Sequence, residues 1–143
     1  MRCGPRLLIH IAKKHLGISL DDDRADALCL LDQDGTSPEG MKRGMEDAGF
    51  KKVGVLEGIS LDDLGTIIGR GAIVTLCYID GGIDNGHWVE LIHVDSELCG
   101  LWDSDTGYRA VPKRWLDVMW LDYTVKDGKW ILHDRTSVVG FKR

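Results

Sequence analysis

Four cysteines and five histidines are spread through the 143-residue chain, and few of them stand where a side chain could react. Cys3 lies in the opening run Met1-Arg2-Cys3-Gly4-Pro5. Proline fits the first turn of a helix, where its missing N–H is not needed, so Cys3 falls at a helix mouth. The positive end of a helix favours a thiolate, and a neighbouring imidazolium favours it more. Helix-start N–H groups can also face an oxyanion that forms beside the sulfur. Gly4 adds no side chain and leaves the approach to the sulfur open. This is the chemistry of a thiol nucleophile attacking an acyl carbon.

The imidazole has to come from elsewhere in the chain. His87 is the best placed of the five histidines: it follows the loop-like run Asp80–Gly86 and opens the apolar stretch His87-Trp88-Val89-Glu90-Leu91-Ile92. A third group should accept the other ring N–H and orient the imidazole. Asp103 ends the next expected strand, and Asp105 is its rival. Gly86 belongs to a candidate substrate rim, although turn geometry explains the Gly and Asp of that run equally well. Trp88 either lies beside the substrate, shielding the His87–Asp103 contact from water, or is a core tryptophan.

The remaining candidates read as structural. Cys77, His87, His93 and Cys99 are zinc-ligand types, but they come from three separate strand segments with no ligand pair on one hairpin, so no metal is expected. Cys29 and Cys77 read as core packing. His10 and His15 on the first helix and His133 near a hairpin end read as surface residues. No cofactor motif is present.

These residues need elements to hold them. Leu7, Leu8, Ile11, Ala12 and Leu16 have helical spacing closed by Gly17. Ser19 is expected to cap a second helix fronted by Asp21-Asp22-Asp23. Thr36-Ser37-Pro38-Glu39 starts a third helix that Gly49 ends, and Ser60 opens a fourth that Gly69 and Gly71 stop. Ala72–Ile79, His87–Asp95 and Leu98–Asp103 read as strands, with a tight Asp95-Ser96-Glu97 turn between the last two. Val111-Pro112 leads into a short helix with Trp115, Leu116 and Met119. Asp127-Gly128 is a two-residue hairpin signal between Trp120–Val125 and Lys129–His133, and Val138–Phe141 is a last strand. Helices first and an antiparallel sheet afterwards give an α+β fold, expected as a single domain over 1–143.

Composition narrows the function classes. The formal net charge is −5 with scattered basic residues, which excludes a nucleic-acid surface. No apolar run approaches the ~20 residues needed to span a bilayer, and Leu7-Leu8-Ile9 is broken at once by His10 and Lys13-Lys14. A cytoplasmic protein with free thiols is the expectation. Oligomeric state is not legible.

Cys-Gly-Pro at a helix start, Gly-His-Trp-Val opening a strand and an Asp ending the following strand together resemble the C39-like peptidases. These are papain-like cysteine proteases whose best known members remove double-glycine leaders from bacteriocin precursors. The likeness extends through Asp34-Gly35-Thr36-Ser37, Ala48-Gly49-Phe50 and Gly58-Ile59-Ser60-Leu61, over roughly residues 3 to 112. It implies a papain-like fold, with N-terminal helices packed on a C-terminal antiparallel sheet, and a peptide or protein substrate. Cys3 would be the nucleophile, His87 the general base and acid, and Asp103 the orienting carboxylate. Leu101-Trp102-Asp103-Ser104-Asp105-Thr106-Gly107 stands where the family has Asp-Pro and then Gly; the kept Asp-to-Gly spacing favours Asp103 over Asp105. One departure stands out. The family's oxyanion glutamine precedes the cysteine by several residues, whereas only Met1 and Arg2 precede Cys3 and the sole glutamine is Gln33. A start upstream of Met1, a substitute donor or a loss of hydrolysis would each account for this, and cysteine peptidase is the leading expectation. A catalytically impaired module that holds a peptide or partner, and an acyl transferase on the same fold, are the alternatives.

Overall fold

A computed structural model describes residues 2–30, 35–79 and 86–143, with 122–126 described by backbone alone. Gln33 and the run 80–85 lie outside the described residues. Helix α1 (Cys3–Ile11) buries Leu7, Leu8 and Ile11 and runs into a wide π turn, Ala12–Leu16, which Gly17 closes at φ 68°. Helix α2 (Asp22–Leu28) is capped by Asp21, whose carboxylate accepts the Arg24 N–H at 2.7 Å. Asp21, not Ser19, thus starts this helix. Leu20 just before the cap and Ala25 just inside it are both buried, which fixes the point of entry. Ser37 caps α3 (Pro38–Ala48) and Ser60 caps α4 (Leu61–Gly69) as the sequence predicts.

Six strands form one antiparallel sheet in the spatial order β1-β8-β2-β3-β4-β5. Their ranges are Lys51–Leu56 (β1), Ile73–Ile79 (β2), Gly86–Val94 (β3), Leu98–Asp103 (β4), Gly107–Pro112 (β5) and Ser137–Phe141 (β8). The hairpin β6 (Leu121–Lys126) and β7 (Lys129–Asp134) forms a separate two-stranded sheet, turned by Asp127 and Gly128 at positive φ. Helix α5 (Lys113–Met119) follows β5 directly.

β1 and β5 are absent from the sequence-based expectation, and both are sheet edges. Lys51, Lys52 and Gly54 dilute the apolar signal of β1, and Lys52 at φ 51° marks an irregularity in its pairing with β8. Charged residues and bulges are how edges avoid pairing with other chains, and they also hide the strand from a hydropathy reading. The strand pleat sends alternate residues to two cores. Trp88 joins Leu7, Leu8, Ile11, Met41 and Met45 against α1 and α3, while Val89 and Leu91 join Leu61, Leu64, Leu116 and Trp120 on the other side. Among the described residues no helix is long and apolar enough to cross a membrane.

Candidate active site

The start of α1 meets the start of β3. Cys3 is the first residue of α1, no side chain caps that helix, and the Arg2 guanidinium before it pairs with Asp26 at 2.6 Å and Asp22 at 3.3 Å. Cys3 Sγ lies 3.8 Å from the carbonyl oxygen of Gly86, the residue that opens β3. His87 follows and is buried, with its Nε2 2.7 Å from Asp103 Oδ1 at the end of β4. The oxygen stands off the ring N–H axis, so this is a close ionic contact more than an aligned hydrogen bond. Pairing of Val89 with Asp103 sets the register that brings the carboxylate alongside.

Electrostatics follow from that crowding. Burial alone would lower the basicity of His87, but the neighbouring Cys3 and Asp103 outweigh it and raise the imidazole pKa to about 9. Burial would push the Asp103 carboxyl up. The Asp105 N–H, which donates to Oδ1 at 2.8 Å, and the charges of His87 and Arg109 hold it below its ordinary range. Cys29 and Cys99 are different, because burial pushes their thiols up to about 12 and about 11.

Asp105 is exposed, approaches Arg6 at 3.9 Å, donates its backbone N–H to Asp103, and has a carboxylate oxygen within 4.8 Å of His87 and Asp103. Trp88 is 2% exposed and donates its indole N–H to the Thr36 carbonyl at 2.8 Å. That burial gives Trp88 a packing role and removes it from the substrate-facing set. Gly4 is tightly packed as well: a Cβ there would stand 2.4 Å from Thr36 Oγ1, so α1 and the residues before α3 approach too closely for any side chain.

Two residues read as surface are not. His10 stacks on Trp102, with ring centroids 3.6 Å apart and planes 3° from parallel. His15 reaches the buried carboxylate of Glu90 at 2.9 Å, where Lys14 and His10 each approach at 3.4 Å. The π turn explains the convergence. In a regular α-helix His15 would point about 140° away from His10, and the wider turn brings it back toward the same side. Among the described residues, the cluster with metal-ligating atoms in mutual reach is His87, Asp103 and Asp105, not the Cys77, His93 and Cys99 set. Arg109 and Glu90 were not singled out in the sequence. Neither carries a local motif, because what matters about each is its cross-strand neighbours.

Solved structures share this architecture. The peptidase domain of Streptococcus ComA, a bifunctional ABC transporter involved in a quorum-sensing pathway, superposes with TM-score 0.69 at 16% identity, covering 92% of this chain and 90% of that one. A double-glycine-motif protease from an AMS/PCAT transporter, solved in complex with the leader peptide, gives 0.66 at 13% identity over 96% and 83% of the two chains. A Bacillus anthracis protein described as a C39-like peptidase gives 0.69 at 14% identity over 99% and 88%. No family model and no curated protein matches the chain. The chain has the papain-like fold of C39 peptidase domains, as the sequence motifs imply.

Proposed function

We propose that the protein is a cysteine peptidase in which Cys3 is the nucleophile, His87 the general base and acid, and Asp103 the group that orients His87. One observation carries the reading: the Cys3 sulfur stands at the mouth of α1 against Gly86, with the His87–Asp103 contact at the next residue. The fold likeness to a protease solved with a leader peptide supports a peptide as the substrate class.

The steps balance without an added reagent. The Cys3 thiolate attacks the peptide carbonyl carbon, and the oxyanion faces the uncapped N–H groups that open α1. The C–N bond breaks as the His87 imidazolium gives its proton to the leaving amine, leaving a Cys3 thioester. Water then attacks the thioester while His87 accepts its proton. The C–S bond breaks, and a carboxylic acid and the starting ion pair are released. With Nε2 facing Asp103, Nδ1 is the ring nitrogen left for this traffic.

Limiting iodoacetamide at about pH 6 followed by mass-spectrometric mapping tests the pair, because ordinary thiols are mostly protonated there. Cys3 is expected to react well ahead of Cys29, Cys77 and Cys99, and a His87→Ala variant is expected to remove that lead. Equal labelling of all four cysteines in the native protein would overturn the proposal.

A further inference from the structure

Four neighbouring strands, β2, β3, β4 and β5, contribute Tyr78, His87, Asp103 and Arg109 in that order. Arg109 Nη2 donates to the Tyr78 hydroxyl at 2.6 Å, and the same nitrogen lies 3.6 Å from Asp103 Oδ2. Adjacent strands are about 4.8 Å apart, so β5 and β2 are separated by roughly 14 Å. Only two long side chains reaching toward each other close such a gap. The Arg109–Tyr78 bridge therefore crosses β3 and β4, which carry His87 and Asp103.

The bridge is itself held. The Tyr78 ring meets the His87 ring edge-on at 5.7 Å, and Trp115 of α5 meets Tyr78 at 5.4 Å. The Arg109 guanidinium lies 5.9 Å from the centre of the Trp115 ring. Tyr78 is buried, and a buried phenol hydroxyl needs a hydrogen-bond partner, which Arg109 supplies.

We propose that Arg109 is a positioning residue for the reaction above: through the Tyr78 hydroxyl it fixes the ring that flanks His87, and through its charge beside Asp103 it limits how tightly that imidazole keeps its proton. The inference rests on the reading of Cys3, His87 and Asp103 as the reacting set. An imidazolium placed between a thiolate and a buried carboxylate is attracted by both and releases its proton poorly to a leaving amine. A fixed guanidinium on the far oxygen of Asp103 offsets part of that attraction. The other groups facing this set are Cys3 from α1, Tyr78 from β2, the exposed Asp105 after β4, and Arg6 of α1 beside Asp105. Because the Asp105 N–H holds Oδ1 independently, removing the guanidinium leaves Asp103 in place and the loss of positive charge dominates.

The test is NMR titration of the His87 ring, together with the pH profile of Cys3 alkylation, in the native protein, Arg109→Gln, Arg109→Met and Arg109→Lys. For the uncharged variants the His87 pKa is expected to rise by about half a unit to one unit, and the basic limb of alkylation to move with it. Arg109→Lys keeps the charge and is expected to titrate close to the native protein. A lesion that merely loosened the fold would lower the melting temperature without separating Gln and Met from Lys in this way. Superimposed His87 titrations in all four folded proteins would overturn the role of Arg109. Native Cys3 without enhanced reactivity would instead overturn the peptidase reading, and the NMR titration would still decide what Arg109 does to His87. Should one uncharged variant fail to fold, the other gives the same comparison.

Discussion

Glu90 Oε2 lies 2.9 Å from His15 Nε2, and this buried contact ties the strand that carries His87 to the helix that carries Cys3. Burial alone would push the Glu90 carboxyl up, but the His15 hydrogen bond and the charges of Lys14, His15 and His10 outweigh it and leave it below its ordinary value. This polar clamp stands at the far end of α1 from Cys3. Its parts come from both elements.

Breaking the clamp should cost stability. Glu90 is 4% exposed on its side chain, whereas Lys14 and His15 keep some contact with solvent, so Glu90→Ala is expected to lose about 2–3 kcal/mol rather than the full penalty of a buried pair. A carboxylate with a depressed folded pKa stabilises the fold above its unfolded value and loses that contribution as pH falls. Urea unfolding from about pH 5 downward, through the ordinary Glu value of 4.5 and below it, should therefore show a steeper loss in the native protein than in Glu90→Gln. Parallel curves would contradict this account.

Stability on the alkaline side should report on His87. Its folded pKa is raised to about 9, so the stabilisation it provides is complete below 6.5 and is lost as pH rises through about 9. Asp103→Asn removes one of the charges responsible. The difference in unfolding free energy between native protein and variant should shrink between pH 7 and pH 9.5. In the same variant, Cys3 alkylation at pH 6 is expected to slow by about tenfold, because His87 loses the carboxylate that helps hold its charge.

Gly4 should not tolerate a methyl group. The added carbon would meet the Thr36 side chain at 2.4 and 2.6 Å, so Gly4→Ala must displace either the start of α1 or Thr36. Thermal melting should show a loss of about 1–3 kcal/mol. Gly4→Ala combined with Thr36→Gly, which removes both the Oγ1 and the Cβ that the added carbon meets, should recover part of it.

Trp88→Phe separates packing from hydrogen bonding. It keeps most of the ring volume and strands the Thr36 carbonyl that accepts from Trp88 Nε1 at 2.8 Å. About 1–3 kcal/mol of destabilisation is expected, measured by denaturant midpoint, with peptide affinity unchanged because the indole is buried.

Much of this protein was set by local sequence. Pro5 and the spacing of Leu7, Leu8 and Ile11 define α1 and put Cys3 at its first residue, because helix starts and apolar stripes depend on near neighbours alone. The same holds for the Ser37 and Ser60 caps, the Gly49 stop and the Asp127-Gly128 hairpin turn. Cys3, His87 and Asp103 could be proposed as a set because each sits at the end of an element that could be read locally. Local reading failed where two signals competed within a few residues, as with Ser19 and Asp21, and where an edge strand carried lysines and glycine, as in β1.

Tertiary structure decided everything that depends on registry between distant segments. The pairing of Val89 with Asp103 brings the Asp103 carboxylate to His87, and the alternation along β3 sends Trp88 to the α1 core while His87 faces Asp103. The π turn gathers His10, Lys14 and His15 on Glu90, and four strands bring Arg109 to Tyr78 across the His87–Asp103 pair. Sequence fixes what each side chain can do. Which side chains meet is a property of strand order and pleat, since a shift of one residue in register would turn each of these groups to the opposite face.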